Sequence, residues 1–107
     1  MSSLATSHQE DLTRLPAQAM LIDVRSYAEY MSGHISDAQS LPLSHLEKDV
    51  VHKLPDRQAA VILYCSSGSR SEQALGIMLH MGYSNVHNGG PATPLARHLG
   101  RPIKPGL

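Results

Sequence analysis

Apolar positions along this chain fall into two kinds of run. Met20-Leu-Ile-Asp-Val24 and Ala60-Val-Ile-Leu-Tyr64 are short and nearly continuous, the pattern of strands buried on both faces of a parallel sheet. Ala74, Leu75, Ile77, Met78 and Met81 instead recur at helical spacing and predict a helix from about Ser71, stopped by Gly82. Polar punctuation places the other helices. Ser7-His-Gln-Glu10, Ser26-Tyr-Ala-Glu29 and Ser44-His-Leu-Glu47 each read as a capping box. The first opens a short helix to about Leu15, closed by Pro16. The second helix stops at Gly33, and the third ends before Pro55. Ser40 to Leu43 and Ser84 to His87 read as brief strands, and Asn88-Gly-Gly90 as a turn. Thr93-Pro94 predicts an N-cap and a first-turn proline for a short helix to about Leu99. The tail, Arg101 to Leu107, is expected to lie on the surface or fray. Strands alternate with helices, so the class is α/β with a mainly parallel sheet.

Composition narrows the field in a few places. With 107 residues the chain fits one compact domain spanning the whole of 1–107. It has no Phe or Trp and only four Tyr, so its core must be mostly aliphatic. Nine basic and nine acidic residues cancel without forming a basic run, which argues against nucleic acid or an anionic membrane as partner. Any attraction of small anions must then be local to a site. One cysteine cannot form an internal disulfide, which suits a reducing, cytoplasmic setting. Met1 to Thr13 does not read as a signal peptide, and no apolar run approaches membrane-spanning length. Seven histidines raise the question of a metal, but none shows an H-x-x-x-H or clustered Cys/His spacing. His45 and His52 could share a helix face, yet two ligands without a third make no site. Neither a metal nor a cofactor is expected.

The chemistry concentrates at the lone thiol. A strand runs into Cys65, small residues Ser66, Ser67, Gly68 and Ser69 come after it, Arg70 is next, and a helix begins at about Ser71. A helix N-terminus offers free N–H groups and partial positive charge. Small residues let loop amides turn inward as an anion-binding nest, and Gly68 permits a backbone angle closed to other residues. Arg70 adds a fixed charge and a planar fork of donors. A free cysteine, with a pKa of about 8.5, is only about 3 % thiolate at pH 7. Lowering it by about two units, worth about 2.7 kcal/mol, makes it mostly thiolate. The alternative, an inert cysteine at the end of a core strand, is common, but the loop, arginine and helix start favour a nucleophile. The hydroxyls of Ser66, Ser67, Ser69 and Ser71 could add donors, although serine is also simply small and turn-forming. Asp23 and Arg25 sit at the end of the other main strand. Both are read as fixing neighbouring loops rather than as chemical groups, and so is His34 behind its helix-stop glycine.

Cys65-Ser-Ser-Gly-Ser-Arg70 resembles the C-x-x-G-x-R loop of the rhodaneses, the thiosulfate sulfurtransferases. Ile22-Asp-Val-Arg-Ser-Tyr-Ala-Glu-Tyr30, with Gly33-His-Ile35 and Ala38, resembles that family's D-V-R-x-x-x-E-[FY]-x-x-G-H-I-x-x-A signature. With Met81-Gly-Tyr83 and Asn88-Gly-Gly90 the resemblance runs from about Ala19 to Gly90. It implies a rhodanese-like three-layer α/β/α fold and a double displacement through a Cys65 persulfide. The implied donor is thiosulfate or a related small sulfur-containing anion, and the acceptor is cyanide, a thiol or a thioredoxin-type protein. It makes Ser66, Ser67, Gly68, Ser69, Arg70 and Ser71 substrate-binding, with Arg70 either gripping the donor's sulfonate or bracing the loop. Two alternatives stand beside it. A partner-dependent persulfide carrier would look identical in sequence. Cysteine phosphatases and the related arsenate reductases use a similar cradle, but with five residues between Cys and Arg where this chain has four. The chain also departs from the family: Ser36-Asp37 replaces a proline and glycine, and Pro91-Ala-Thr-Pro94 stands where a tryptophan often follows the double glycine.

Overall fold

In the computed structural model, which describes residues 11–106, alternation along the strands decides which side of the sheet each residue serves. Strands β1 (Met20–Asp23), β3 (Gln39–Ser40), β4 (Val61–Cys65) and β5 (Val86–Pro91) form one parallel sheet in the order β3-β1-β4-β5. Val61, Leu63 and Cys65 of β4 point to one face with Ile22 of β1; Ile62 and Tyr64 point to the other with Leu21. The first face is covered by α2 (Leu46–Lys53) and α3 (Ser69–His80), which bury Leu46, Val50, Ala74 and Met78 against it. The second is covered by α1 (Tyr27–Ser32) and α4 (Ala92–Leu99), through Tyr30, Leu95 and Ala96. The result is a three-layer α/β/α arrangement in which β4, buried along its whole length, is central. The core is aliphatic apart from three tyrosines, Tyr30, Tyr64 and Tyr83. Among the described residues no helix is long and apolar enough to cross a membrane.

Helix α1 begins as its sequence predicts. Ser26 accepts from the Glu29 N–H at 3.2 Å and Glu29 accepts from the Ser26 N–H at 3.0 Å, a complete capping box that ends at Gly33. The box at Ser7-Glu10 lies outside the described residues. The segment just after it is a 3-10 turn, Leu12–Arg14, capped by Asp11. The box at Ser44-Glu47 does not form. Leu43 N–H bonds Val24 C=O at 3.0 Å, and a 3-10 turn over Leu43–His45 comes straight after Pro42, so Ser44 lies within that turn and α2 starts at Leu46.

Four further boundaries move. The strand expected at Ser40 to Leu43 is Gln39–Ser40, because β1 offers partners only at Ile22 and Asp23. Helix α3 starts at Ser69, two residues early, since Gly68 at φ 97° already turns the chain into it. Asn88-Gly-Gly90 is no turn but part of β5, with a register irregularity against Leu63 and Tyr64. A Cβ on Gly89 would stand 2.8 Å from both Ile62 and Leu95, so the glycine is there to admit a neighbouring strand and helix. Pro91, not Thr93, takes the cap position of α4, leaving Pro94 in the first turn. The tail stays on the surface but is ordered there, as β6 (Ile103–Lys104) pairs antiparallel with β2 (His34–Ile35).

Candidate active site

Strand β4 delivers Cys65 to the carboxyl edge of the sheet, and a three-residue loop, Ser66-Ser67-Gly68, connects it to the first turn of α3. The left-handed backbone of Gly68 aims its N–H back at the Cys65 Sγ, 2.9 Å away. The Ser71 hydroxyl lies 3.5 Å from the same sulfur. The cysteine is free and fully buried, 0 % exposed. Burial pushes the thiol pKa up. The Ser71 hydroxyl and the backbone N–H groups of Ser71, Gly68 and Ser67 outweigh that, and the net shift is downward.

Asn88 underpins this cradle, and reading it as a turn residue concealed that. Buried in β5, it accepts from Ser71 Oγ at 2.7 Å and from the Gly90 N–H at 2.8 Å through Oδ1. Its Nδ2 donates to Glu72 Oε1 at 2.9 Å and more loosely to Gly68 C=O at 3.4 Å. The single Ser71 proton therefore has three acceptors in reach: Asn88 Oδ1, Gly68 C=O at 3.1 Å and the sulfur. A neutral thiol can donate to Ser71 while Ser71 donates to Asn88; a thiolate can take the hydroxyl proton instead. Ser71 is thus behind the sulfur, fully buried, and not on the open face of the loop. Ser66, Ser67 and Ser69 are exposed there, with the Ser67 and Ser69 hydroxyls 3.1 Å apart.

Arg70 does not stand free. Its Nη1 and Nη2 donate to Glu29 Oε1 and Oε2 at 2.7 and 3.0 Å, a bidentate pair joining α1 to the loop. Ser66 Oγ lies 3.4 Å from both Glu29 Oε2 and Arg70 Nη2. The sequence shows Glu29 as a cap and as the glutamate of the family signature, but not its second partner, 41 positions away. The Arg70 hydrogen bonds, and after them the Ser26 N–H, hold the Glu29 carboxyl down from 4.5 to about 2. A carboxylate with a depressed folded pKa stabilises the fold above its unfolded value and loses that contribution as pH falls through the folded one. The stabilisation from this pair is expected to be complete above pH 4.5 and lost towards pH 2. The two side chains are 36 % and 37 % exposed, which limits it to about 1 kcal/mol or less. Urea midpoints of wild type and Glu29→Gln should therefore converge as pH is lowered across that window.

Asp23 and Arg25 form a second, buried pair beside β4. Arg25 Nε and Nη2 reach the carboxylate at 2.9 and 2.6 Å, Arg25 N–H donates to it at 2.9 Å, and Nη2 also donates to Gly33 C=O at 2.6 Å. His34 is buried one turn on, its Nδ1 2.9 Å from Tyr30 C=O and its ring stacked 3.8 Å from that of Tyr30. None of the three touches the sulfur loop by a hydrogen bond, although Arg25 shares a cavity of about 250 Å³ with Ser66, Pro91 and Thr93. A second cavity, of about 320 Å³, lies on the Arg70 side between Val24, Pro42 and Leu43. A larger one, of about 510 Å³, is at the β3 edge around Tyr27, Gln39 and Lys53 and includes no loop residue. Among the described residues no group of three or more His, Cys, Asp or Glu side chains could hold a metal ion.

The chain is similar to known proteins. The family model described as "Rhodanese-like domain" matches residues 5–89. Over 75 residues the chain is 35 % identical to "Thiosulfate sulfurtransferase PspE" of Escherichia coli (strain K12), covering 70 % of this chain and 72 % of that one. It is 34 % identical over 95 residues to a "tRNA uridine(34) hydroxylase" of Sodalis glossinidius, covering 81 % of this chain but only 27 % of the relative. Among solved structures, a "rhodanese with anions from E. coli" superposes with a TM-score of 0.73 at 30 % identity, covering 83 % of this chain and all (100 %) of the other.

Proposed function

The chain belongs to the rhodanese-like domain family, and from that premise we propose that it is a single-domain sulfurtransferase carrying sulfane sulfur on Cys65. The observation that carries the proposal is the cradle: Gly68 N–H at 2.9 Å and Ser71 Oγ at 3.5 Å on one sulfur at a strand end. In the first displacement the Cys65 thiolate attacks the outer sulfur of thiosulfate or a related donor. The donor's S–S bond breaks, its electron pair leaves with sulfite, and Cys65 becomes a persulfide anion. In the second, a nucleophile such as cyanide or a thiolate takes the outer sulfur, and the electron pair returns to the Cys65 thiolate. Splitting the transfer in this way replaces one difficult step by two easier ones. The loop amides around Gly68 would hold the anionic outer sulfur as an oxyanion hole holds oxygen. With its fork engaged by Glu29, Arg70 braces the loop, while the exposed Ser66, Ser67 and Ser69 form its mouth.

Because the sole cysteine must stay reduced between turnovers, we place the activity in a reducing compartment such as the cytoplasm, with a small thiol or a thioredoxin-type protein as acceptor. A second reading, a persulfide carrier charged by a partner protein, is favoured by the bidentate pairing of Arg70, the one cation between Cys65 and Ser71, with Glu29, which weakens the loop's attraction for a small anionic donor. The deciding experiment is intact mass after brief exposure to thiosulfate, then to cyanide. A gain of one sulfur that cyanide removes supports the sulfurtransferase; no gain with thiosulfate, but a gain from a persulfidated partner protein, supports the carrier. The thiol itself makes a separate prediction. Its alkylation by iodoacetamide should titrate below the ~8.5 of free cysteine, while burial should slow bulky maleimides far more than iodoacetamide. A midpoint above that of free cysteine would remove the cradle argument.

A further inference from the structure

Asn88 is fixed from two sides in a way that dictates what it shows the sulfur loop. Its Nδ2 donates to the Glu72 carboxylate at 2.9 Å, and its Oδ1 accepts from the Gly90 N–H at 2.8 Å. Neither partner can reverse its role, so the amide has one orientation. The group turned toward Ser71 is therefore an acceptor, 2.7 Å from Oγ, and Asn88 is only 1 % exposed. Ser71 has one hydroxyl proton and stands between that acceptor and the Cys65 sulfur, 3.5 Å away. Where the proton lies depends on the charge of the sulfur. A thiol does not need it, because its own S–H can donate to Ser71 Oγ while Ser71 donates to Asn88. A thiolate draws it away, since hydrogen bonds to an ionised acceptor are about twice as strong as neutral ones. In a persulfide the sulfur bonded to Cβ carries neither charge nor proton, and the hydroxyl returns to Asn88. Gly68 C=O, at 3.1 Å, is a second resting place.

We propose that Asn88 is a positioning residue that holds the Ser71 proton whenever the Cys65 sulfur is uncharged and releases it to the sulfur whenever negative charge returns there. This rests on the sulfurtransferase reading and deepens it. In the first displacement negative charge leaves the Cys65 sulfur as its bond to the outer sulfur forms, and the Ser71 hydroxyl turns to Asn88. In the second, the bond between the two sulfurs breaks, the electron pair returns to Cys65, and the hydroxyl turns back. No proton is transferred; the O–H bond only rotates. Asn88 thus stabilises the thiol and the persulfide and gives the thiolate nothing. It tempers the nucleophile and keeps the sulfur loaded. A brace for the cradle would do the reverse: by holding Ser71 and Gly68 to the sulfur it would favour the thiolate, and its loss would make the thiol harder to ionise.

The test is the pH dependence of Cys65 alkylation by iodoacetamide in wild type, Asn88→Leu, Ser71→Ala and the double variant. Asn88→Leu keeps the approximate shape and removes the acceptor. It should lower the alkylation midpoint by about half a pH unit. Above that midpoint, at a fixed thiosulfate-to-sulfite ratio, it should also lower the proportion of persulfide to free Cys65 by about threefold, the same factor, as read by intact mass. In the Ser71→Ala background the same substitution should move neither. The charged groups around the thiol are Arg70 with Glu29 of α1, Glu72 of α3 and the Asp23–Arg25 pair of β1, while β5 contributes His87, 2.7 Å from Asn85 Oδ1. Glu72 loses its Asn88 donor in both backgrounds, so the comparison cancels that change, and the other groups are untouched. An unchanged or raised midpoint in Asn88→Leu makes Asn88 a brace and overturns the proposal. A shift that persists undiminished in the Ser71→Ala background overturns it too, because Asn88 then acts without the hydroxyl. If a thermal melt shows that Asn88→Leu does not fold, Asn88→Asp decides. Its stronger acceptor should raise the midpoint more when Ser71 is present than in the Ser71→Ala background, and equal shifts overturn the proposal. If wild-type Cys65 gains no sulfur from thiosulfate or from a persulfidated partner protein, the sulfurtransferase reading falls; the alkylation cycle uses no sulfur donor and judges Asn88 separately.

Discussion

Cys65→Ser is expected to lose sulfur transfer by at least about a thousandfold, roughly 4 kcal/mol of transition-state stabilisation, while remaining folded. A serine hydroxyl in the same cradle would meet the same Gly68 N–H and Ser71 hydroxyl. Those donors depress the pKa of a thiol that starts within reach of neutrality; an alcohol starts too far above it to ionise. An oxygen nucleophile also cannot form the S–S bond that holds the transferred atom. The fold should tolerate the change because it removes little volume, and the new hydroxyl inherits two hydrogen-bonding neighbours in place of an uncompensated burial. Thiocyanate formation and intact mass measure the loss, and a thermal midpoint within a few degrees of wild type shows that the fold survives. Activity within tenfold of wild type would take Cys65 out of the chemistry.

Such a prediction can be read from sequence because every part of the thiol's immediate setting is local. The strand into Cys65, the small residues and the helix after them are consecutive, and the structure keeps them so. The residues that hold the cradle from behind are not local. Glu29 has a complete explanation as a cap, and nothing near it in sequence announces that α1 will stand against the loop. Asn88 belongs to an Asn-Gly-Gly triplet whose composition serves a turn and an irregular strand equally well. Only the approach of Ile62 and Leu95 to Gly89 decides between them, and that is a tertiary fact. The capping box at Ser44 failed for a related reason. Its local pattern is sound, but the Leu43–Val24 hydrogen bond draws the chain into a 3-10 turn first. The tail's pairing with His34–Ile35 was equally hidden, because two strands of two residues carry no periodicity to detect.

Asp23→Ala is expected to cost about 3–5 kcal/mol of stability, the largest single effect on the fold proposed for this chain. Asp23 is 0 % exposed and Arg25 only 11 % exposed by side chain, so the pair sits almost wholly out of water. Removing the carboxylate strands a guanidinium that still cannot reach solvent without breaking its bond to Gly33 C=O at 2.6 Å. The Arg25 backbone N–H loses its acceptor in the same step. What remains is the guanidinium's position over the Tyr64 ring, 5.7 Å from its centroid, which offsets only a small part of a buried charge. The cost therefore comes from the orphaned arginine more than from the attraction lost, and a second substitution separates the two. Asp23→Leu with Arg25→Met removes both charges while keeping apolar volume, and it should recover most of the stability lost in Asp23→Ala. Urea denaturation of Asp23→Leu, Arg25→Met and their double variant, beside Asp23→Ala, measures the coupling. The site should feel the single change too, because Asp23 aligns with Tyr64 in the β1–β4 register and Val24 N–H bonds Tyr64 C=O at 3.1 Å, one residue before Cys65. A loss below about 1 kcal/mol in Asp23→Ala would mean that Arg25 finds water after all.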